Sequence, residues 1–267
     1  MFIQTQLHPA TVQNFQVQPL RGDPSTRVER PVRRRGLVEQ AHIADTAALL
    51  NSALAPSRRI VHAGEAVYQA GIGFTHLHFA HSGAFKVVNL AQDGREQIVG
   101  LKFRGDWLGL DGIANGVYAC DAVAMDTGEL WSFRYDALLA ACAQQPALLT
   151  ALHQAMGLQM AQSRNSLMSV CTLPADARVA NFLHEWALAL QARGLRTDQI
   201  ALRLTRAEIG NHLGMTLETV SRALTLLSRM QLIAFPVKGR RDIAIPDIDG
   251  LDDFVQDSLA GLGPVLH

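Results

Sequence analysis

The chain has 267 residues, 48% of them hydrophobic, and its 24 basic and 24 acidic residues cancel to zero net charge, a size and composition suited to two domains with real cores. No run approaches the roughly 18 apolar residues of a membrane helix, and the opening MFIQTQLHPATVQ lacks the basic and apolar regions of a secretory signal, so a cytoplasmic protein is expected. With only Cys120, Cys142 and Cys171, the chain is neither a disulfide-dense scaffold nor a Cys-rich zinc module.

Residues 1–36 carry six Arg against Asp23 and Glu29, together with Pro9, Pro19, Pro24 and Pro31. Without hydrophobic periodicity they read as a disordered basic extension. Arg33-Arg34-Arg35 has two readings, a solvated tail and a contact to nucleic-acid phosphates. Asp45 is placed to cap a short helix carrying Ala47, Leu49, Leu50 and Leu54. Over residues 56–136 the runs IVHAGEAVYQA, THLHFA, AFKVVNL and EQIVGLKF are punctuated by glycines. Short strands at this spacing predict a small antiparallel barrel or sandwich, with Asp93-Gly94 turning a hairpin.

From residue 136 to 170 the period becomes helical. Leu149, Leu152, Met156, Met160, Ser163, Leu167 and Val170 advance by 3 or 4 residues. This heptad-like stripe predicts a dimer seam on Met156, Met160 and Leu167; packing on the barrel is the other reading. Pro174 interrupts the helix, and Asp176 is placed to cap the next, which carries Val179, Phe182, Leu183, Trp186 and Leu190 and ends at Gly194. IALRL alternates as a strand. Thr205 then caps a short helix, RAEIGNHLG, Gly214 turns, and Thr216 starts a second, LETVSRALTLLSRM. The runs LIAFPV and DIAIP are joined by a basic tip, Lys238-Gly239-Arg240-Arg241. Residues 199–241 hold seven basic groups against Glu208 and Glu218, the basic block expected of a nucleic-acid-binding domain. Beyond it come six Asp and no Lys or Arg, so residues 248–267 read as an acidic tail.

Two short helices about a Gly turn, followed by a basic hairpin, make a winged helix-turn-helix. Ala207, Ile209 and Leu213 of the first helix, and Val220, Leu224 and Leu227 of the second, are predicted to face inward. That leaves Glu218, Thr219, Ser221 and Arg222 outward, near the end of a recognition helix that meets base edges in the major groove. Arg222 can donate twice to guanine, Glu218 can accept from cytosine, and Ser221 can bond either way. Thr205, Arg206, Thr216, Thr219, Arg240 and Arg241 are placed for phosphates.

At these residues LTRAEIGNHLGMTLETVSRAL resembles the DNA-binding motif of the CRP/FNR superfamily of bacterial regulators, and GREQIVGLKFRGDWLGLDGI resembles the barrel of its FNR branch. The resemblance covers residues 37–247. It implies an α+β fold: a cyclic-nucleotide-binding-like β-roll sensor over 37–138, a dimerisation helix over 139–173 and a winged helix-turn-helix over 174–247. Glu218, Ser221 and Arg222 fall on that branch's Glu-x-x-Ser-Arg base-reading signature. The implied function is a homodimeric transcription regulator, an activator, binding double-stranded DNA with TTGAT-like half-sites in inverted repeat. RNA polymerase is an implied partner, through a barrel hairpin matched by Asp93, Gly94, Arg95 and Glu96.

The sensor departs from its relatives' ligand patterns. Where relatives that bind cyclic AMP place a Glu for the ribose and an Arg-Ser pair for the phosphate, this chain has Leu110 and Tyr118-Ala119-Cys120-Asp121, so cyclic AMP is not expected. The four thiolates of a [4Fe–4S] cluster are lacking, and Trp131 stands near the position of the fourth. His76, His78 and His81 read either as solvated surface histidines or as a metal or haem site. Cys120 reads as a redox-sensing thiol or a structural one. The alternatives to the leading function are therefore a haem- or redox-responsive sensor of the same superfamily and a nucleotide-binding module without DNA function. An enzyme is not expected, since no phosphate loop, H-E-x-x-H or G-x-S-x-G motif occurs.

Overall fold

The computed structural model describes residues 32–91, 93–236 and 242–261. Most of the basic extension, the wing arginines Arg240 and Arg241, and residues 262–267 lie outside the described residues. The first element, α1 (Val32–Ala53), is longer than the short helix predicted, and Asp45 lies exposed in its middle rather than at its start. Thr46 and Leu50, one turn apart, are buried and anchor the C-terminal half of the helix, beyond Asp45.

Eight strands then form two antiparallel sheets. They are β1 (Ser57–Val61), β2 (Ala66–Tyr68), β3 (His76–Ala80), β4 (Ala84–Leu90), β5 (Glu96–Phe103), β6 (Trp107–Leu108), β7 (Asp121–Ala124) and β8 (Gly128–Arg134), with the one-turn α2 (Gly112–Asn115) before β7. One sheet runs β1-β8-β3-β6 and the other β2-β7-β4-β5. Alternation along the strands divides the apolar residues between layers. Val61, Ala80, Phe85, Leu108, Ala122, Ala124 and Leu130 fill the space between the sheets. Leu77, Phe79, Trp107, Trp131 and Phe133 cover the opposite face of the first sheet, beneath α1 and the helices that follow the roll.

Those helices are α3 (Tyr135–Gln144) and α4 (Pro146–Thr172). The continuous helical segment expected is split because Pro146, which has no N–H, starts a new helix at its first position. The C-terminal part comprises α5 (Ala175–Gln191), β9 (Gln199–Ala201), α6 (Arg206–Leu213), α7 (Leu217–Arg229), β10 (Asp242–Ala244) and α8 (Ile248–Ala260). Pro174, not Asp176, takes the N-cap of α5, and Asp176 sits in the first turn, where its charge complements the helix dipole. Strand β10 pairs with β9, while Ala234 meets Ala244 in an isolated bridge, so the hairpin read from LIAFPV and DIAIP is shared with a distant strand. The predicted acidic tail is largely helix: α8 buries Leu251 and Val255 against α5 and leaves Asp249, Asp253 and Asp257 exposed. The run of Asp concealed an apolar spacing of four. Among the described residues no helix is long and apolar enough to cross a membrane.

Candidate nucleic-acid interface

The two helices of the helix-turn-helix are set by their ends. Thr205 caps α6: its hydroxyl accepts from the Glu208 N–H at 3.1 Å, and the Glu208 carboxylate accepts from the Thr205 N–H at 2.8 Å, a reciprocal capping box. Gly214 closes α6 in the left-handed conformation, at φ 65°. Gly210 lets the turn fold back, because a side chain there would meet the Met215 carbonyl at 2.6 Å. Thr216 then caps α7, accepting from the Thr219 N–H at 3.2 Å. Val220, Ala223, Leu224 and Leu227 are buried along one side of α7. Glu218, Arg222, Thr225 and Arg229, spaced by 4, 3 and 4, stand exposed along the other.

The three residues expected to read bases, Glu218, Ser221 and Arg222, lie together on this face. Glu218 is exposed at the second position of α7; hydrogen bonding from its own backbone N–H and from Thr216, with Arg222 near, keeps its carboxyl below the usual range and therefore ionised. Arg222 lies one turn on. Ser221 Oγ accepts from Arg206 Nη1 at 3.2 Å, which brings the α6 arginine beside the reading face. Two expectations change. Ala207, predicted inward, is exposed, because α6 turns the Ile209, Gly210 and Leu213 side to the core. The Thr205 hydroxyl both accepts from the Glu208 N–H and donates to the Glu208 carboxylate, at 2.8 Å, which leaves it no proton for a phosphate, whereas the Thr216 hydroxyl accepts from the Thr219 N–H and lies 3.1 Å from the Thr219 hydroxyl.

The α4 stripe divides along its length. Leu152 is buried on the roll and Met156 packs partly against the same cluster, whereas Met160 and Leu167 are 63% and 64% exposed. Leu158 and Met168 are also bare but lie off the stripe. The turn Asp93–Glu96 projects between β4 and β5, held by Arg95 Nε donating to Asp93 Oδ2 at 2.7 Å.

The interior of the roll holds features the linear pattern did not reveal. The rings of Tyr68 and Tyr118 stack at 4.0 Å, and Tyr118 Oη donates to the His76 carbonyl at 2.8 Å. His78, for which a surface group is one of two readings, is 8% exposed and shares a 2.8 Å hydrogen bond with Ser132 through Nδ1. The reason is register: His78 pairs with Ser132 on the face between the sheets. Burial, with His76 and Arg59 adding to it, pushes its pKa down to about 4. Burial, then Asp111 and Asp121, push the Cys120 thiol up to about 11. Asp121 accepts from the Ala70 N–H at 2.6 Å, and Asp111 from the Ala119 N–H at 2.9 Å. Among the described residues no group of three or more His, Cys, Asp or Glu side chains converges as metal ligands do. Buried Lys102 donates to Gln159 of α4 at 3.1 Å.

From Arg33 onward these parts belong to one compact unit, and the reading domain docks on the roll. Strand β5 is the open edge of its sheet. Asn211 of α6 pairs with that edge as a neighbouring strand would: its side chain donates to the Glu96 carbonyl and accepts from the Ile98 N–H, each at 2.6 Å. Gln97 donates back to the Asn211 carbonyl, and His212 Nδ1 lies 3.0 Å from the Ile98 carbonyl. Lys86 of β4 meets Glu208 at 2.6 Å. Burial acts to raise the Glu208 pKa, but the Lys86 and Thr205 donors outweigh it and hold it at about 2. Arg193 donates to Asp106 at 2.9 Å and lies over the Phe103 ring.

Residues 177–254 match the family model of the Crp-like helix-turn-helix domain, and residues 58–145 that of the Cyclic nucleotide-binding domain. The chain is 32% identical over 171 residues to the Transcriptional activator protein Anr of Pseudomonas protegens, spanning 64% of this chain and 70% of that protein. It is 27% identical over 183 residues to the Fumarate and nitrate reduction regulatory protein of Yersinia pestis, spanning 68% and 72%. The solved structure of FixK2 from Bradyrhizobium japonicum overlays with a TM-score of 0.66 at 25% identity, covering 75% of this chain and 97% of that one.

Proposed function

The chain belongs to the CRP/FNR family of DNA-binding transcription regulators, and from that premise we propose that it acts as a homodimeric activator reading an FNR-like inverted repeat, TTGAT-N4-ATCAA. The observation that carries this reading is the exposed face of α7, where Glu218, Ser221 and Arg222 stand at its N-terminal half and none of the described residues covers Glu218 or Arg222. Arg222 suits the guanine, Glu218 the cytosine paired with it, and Ser221 a neighbouring thymine. The bare half of the α4 stripe supports pairing with a second copy, which sets two reading helices in successive major grooves about 34 Å apart. The exposed Asp93–Glu96 hairpin is the proposed contact for RNA polymerase, and the wing arginines Arg240 and Arg241 are proposed phosphate contacts. The site of action follows from the partner, the DNA and polymerase of the cytoplasm.

We further propose that the roll takes neither cyclic AMP nor a [4Fe–4S] cluster. Leu110 and Ala119 offer no hydroxyl or phosphate partner, the Asp121 carboxylate is pinned to the Ala70 N–H, and the Tyr68–Tyr118 stack occupies the interior. Cys142 is buried, Cys120 half-buried and Cys171 exposed on α4, a set that lacks the fourth thiolate and does not converge. The raised Cys120 pKa opposes thiolate-based redox sensing.

The test is a gel-shift series with operators changed one base pair at a time. Arg222→Ala is expected to cost about 1–3 kcal/mol per half-site and to relax the preference at the G·C pair. Equal loss at every base position would make Arg222 a phosphate anchor and refute the base-reading assignment.

A further inference from the structure

Arg178, at the first turn of α5, touches the ends of two other helices. Its Nη2 donates to the Val170 carbonyl at 2.8 Å and to the Leu173 carbonyl at 3.1 Å. Its Nη1 donates to the Leu213 carbonyl at 2.9 Å. Val170 would ordinarily be served by the N–H four residues on, but that residue is Pro174, which has none. Leu213 is the last residue of α6, at the entrance to the turn, where helical carbonyls run out of helical partners. One planar cation therefore satisfies the orphaned C-terminal ends of both α4 and α6, where the helix dipoles favour positive charge. The close approach continues beside it: a β-carbon on Gly214 would lie 4.0 Å from the Val170 side chain. Nε of Arg178 is buried without a hydrogen-bond partner, so the guanidinium is oriented by the three carbonyls and by no competing acceptor.

These two helices have different tasks. Helix α4 carries the bare apolar stripe, and α6 leads through Gly214 into α7. The angle between α4 and α6 thus sets how far each reading helix stands from a two-fold axis along the α4 seam. We infer that Arg178 is a positioning residue that fixes the separation and rotation of the two α7 helices and so makes the regulator specific for one spacer length between half-sites. The inference rests on the homodimer and inverted-repeat reading above. Each base pair added to the spacer moves one half-site by about 3.4 Å and turns it by about 34°. A rigid junction cannot follow such a change; a loosened one can. Lysine is no substitute, because a single ammonium lacks the planar fork that reaches both helix ends.

The experiment uses the full chain with Arg178→Lys and Arg178→Gln, and duplexes in which two TTGAT half-sites are separated by three, four, five or six base pairs, plus a single half-site. Light scattering follows the mass of each variant. Wild type is expected to prefer one spacer. In both variants that preference should shrink by about tenfold while binding to the single half-site is retained, in line with the loss of charge-assisted bonds at the junction. A uniform loss on every duplex with the spacer profile intact would overturn the inference and leave Arg178 a stabilising residue only. Because the readout is a ratio across spacers, the Lys variant decides even where the Gln variant folds poorly. Wild type binding all spacers and the single half-site alike would refute the dimeric-operator reading, and this inference with it.

Discussion

The seam proposed on α4 permits a quantitative test. Replacing Met160 and Leu167 by Glu removes two side chains that are 63% and 64% exposed in the single chain. Fully burying a Leu or Met contributes about 1.5–3 kcal/mol, so the part of each still exposed is worth roughly 1–2 kcal/mol on pairing. Both protomers contribute both residues, which makes about 4–8 kcal/mol available from these four side chains, against an association cost of the same order. The substitution forfeits that gain and sets carboxylates facing one another across the two-fold axis. The dimer dissociation constant should rise by at least about a thousandfold. Sedimentation or light scattering across a concentration series reads the mass, and gel shifts compare the inverted repeat with a single half-site. The expected result is a monomer at micromolar concentration that retains weak half-site binding. Unchanged mass together with unchanged operator affinity would show that this stripe is not the seam.

Asn211→Ala removes the amide from the edge of β5, leaving the Ile98 N–H and the Glu96 carbonyl unpaired; thermal denaturation should show a loss of about 1–3 kcal/mol, and an unchanged midpoint would mean that water replaces the amide at no cost. Glu208, held at about 2 in the folded chain, stabilises it above the ordinary carboxylate pKa, and that contribution fades as pH falls toward 2. Urea titrations of wild type and Glu208→Gln should therefore differ by about 1 kcal/mol at pH 6, reduced by the part exposure of the pair, and converge at the acid end; a gap independent of pH would assign the effect to packing. Titration calorimetry with millimolar cyclic AMP should give no saturable heat, and a micromolar dissociation constant would mean that the roll binds the nucleotide through groups other than those at Leu110 and Ala119.

Features that depend on neighbours a few residues apart could be read along the chain. The caps Thr205 and Thr216, the turn at Gly214 and the buried Val220, Leu224 and Leu227 follow from hydrogen-bond geometry and helical period, and they place Glu218, Ser221 and Arg222 outward without reference to the rest of the chain. The strand runs were legible for the same reason, since their alternation is local. Which alternating face met which was set by strand pairing across the roll. His78 could not be seen to be buried until β3 was registered against β8, and the Tyr68–Tyr118 stack joins residues fifty positions apart. Helix α1 packs through Thr46 and Leu50, and α8 forms where a charge count suggested a solvated tail, because Leu251 and Val255 find α5. Asn211 and Arg178 looked like ordinary polar residues on helices. Their roles arise because β5 lacks a strand on one side and because Pro174 leaves a carbonyl without its donor, so each fills a deficit created by another part of the fold. Local periodicity announces what a segment will form, but unsatisfied backbone groups appear only once the segments have been brought together.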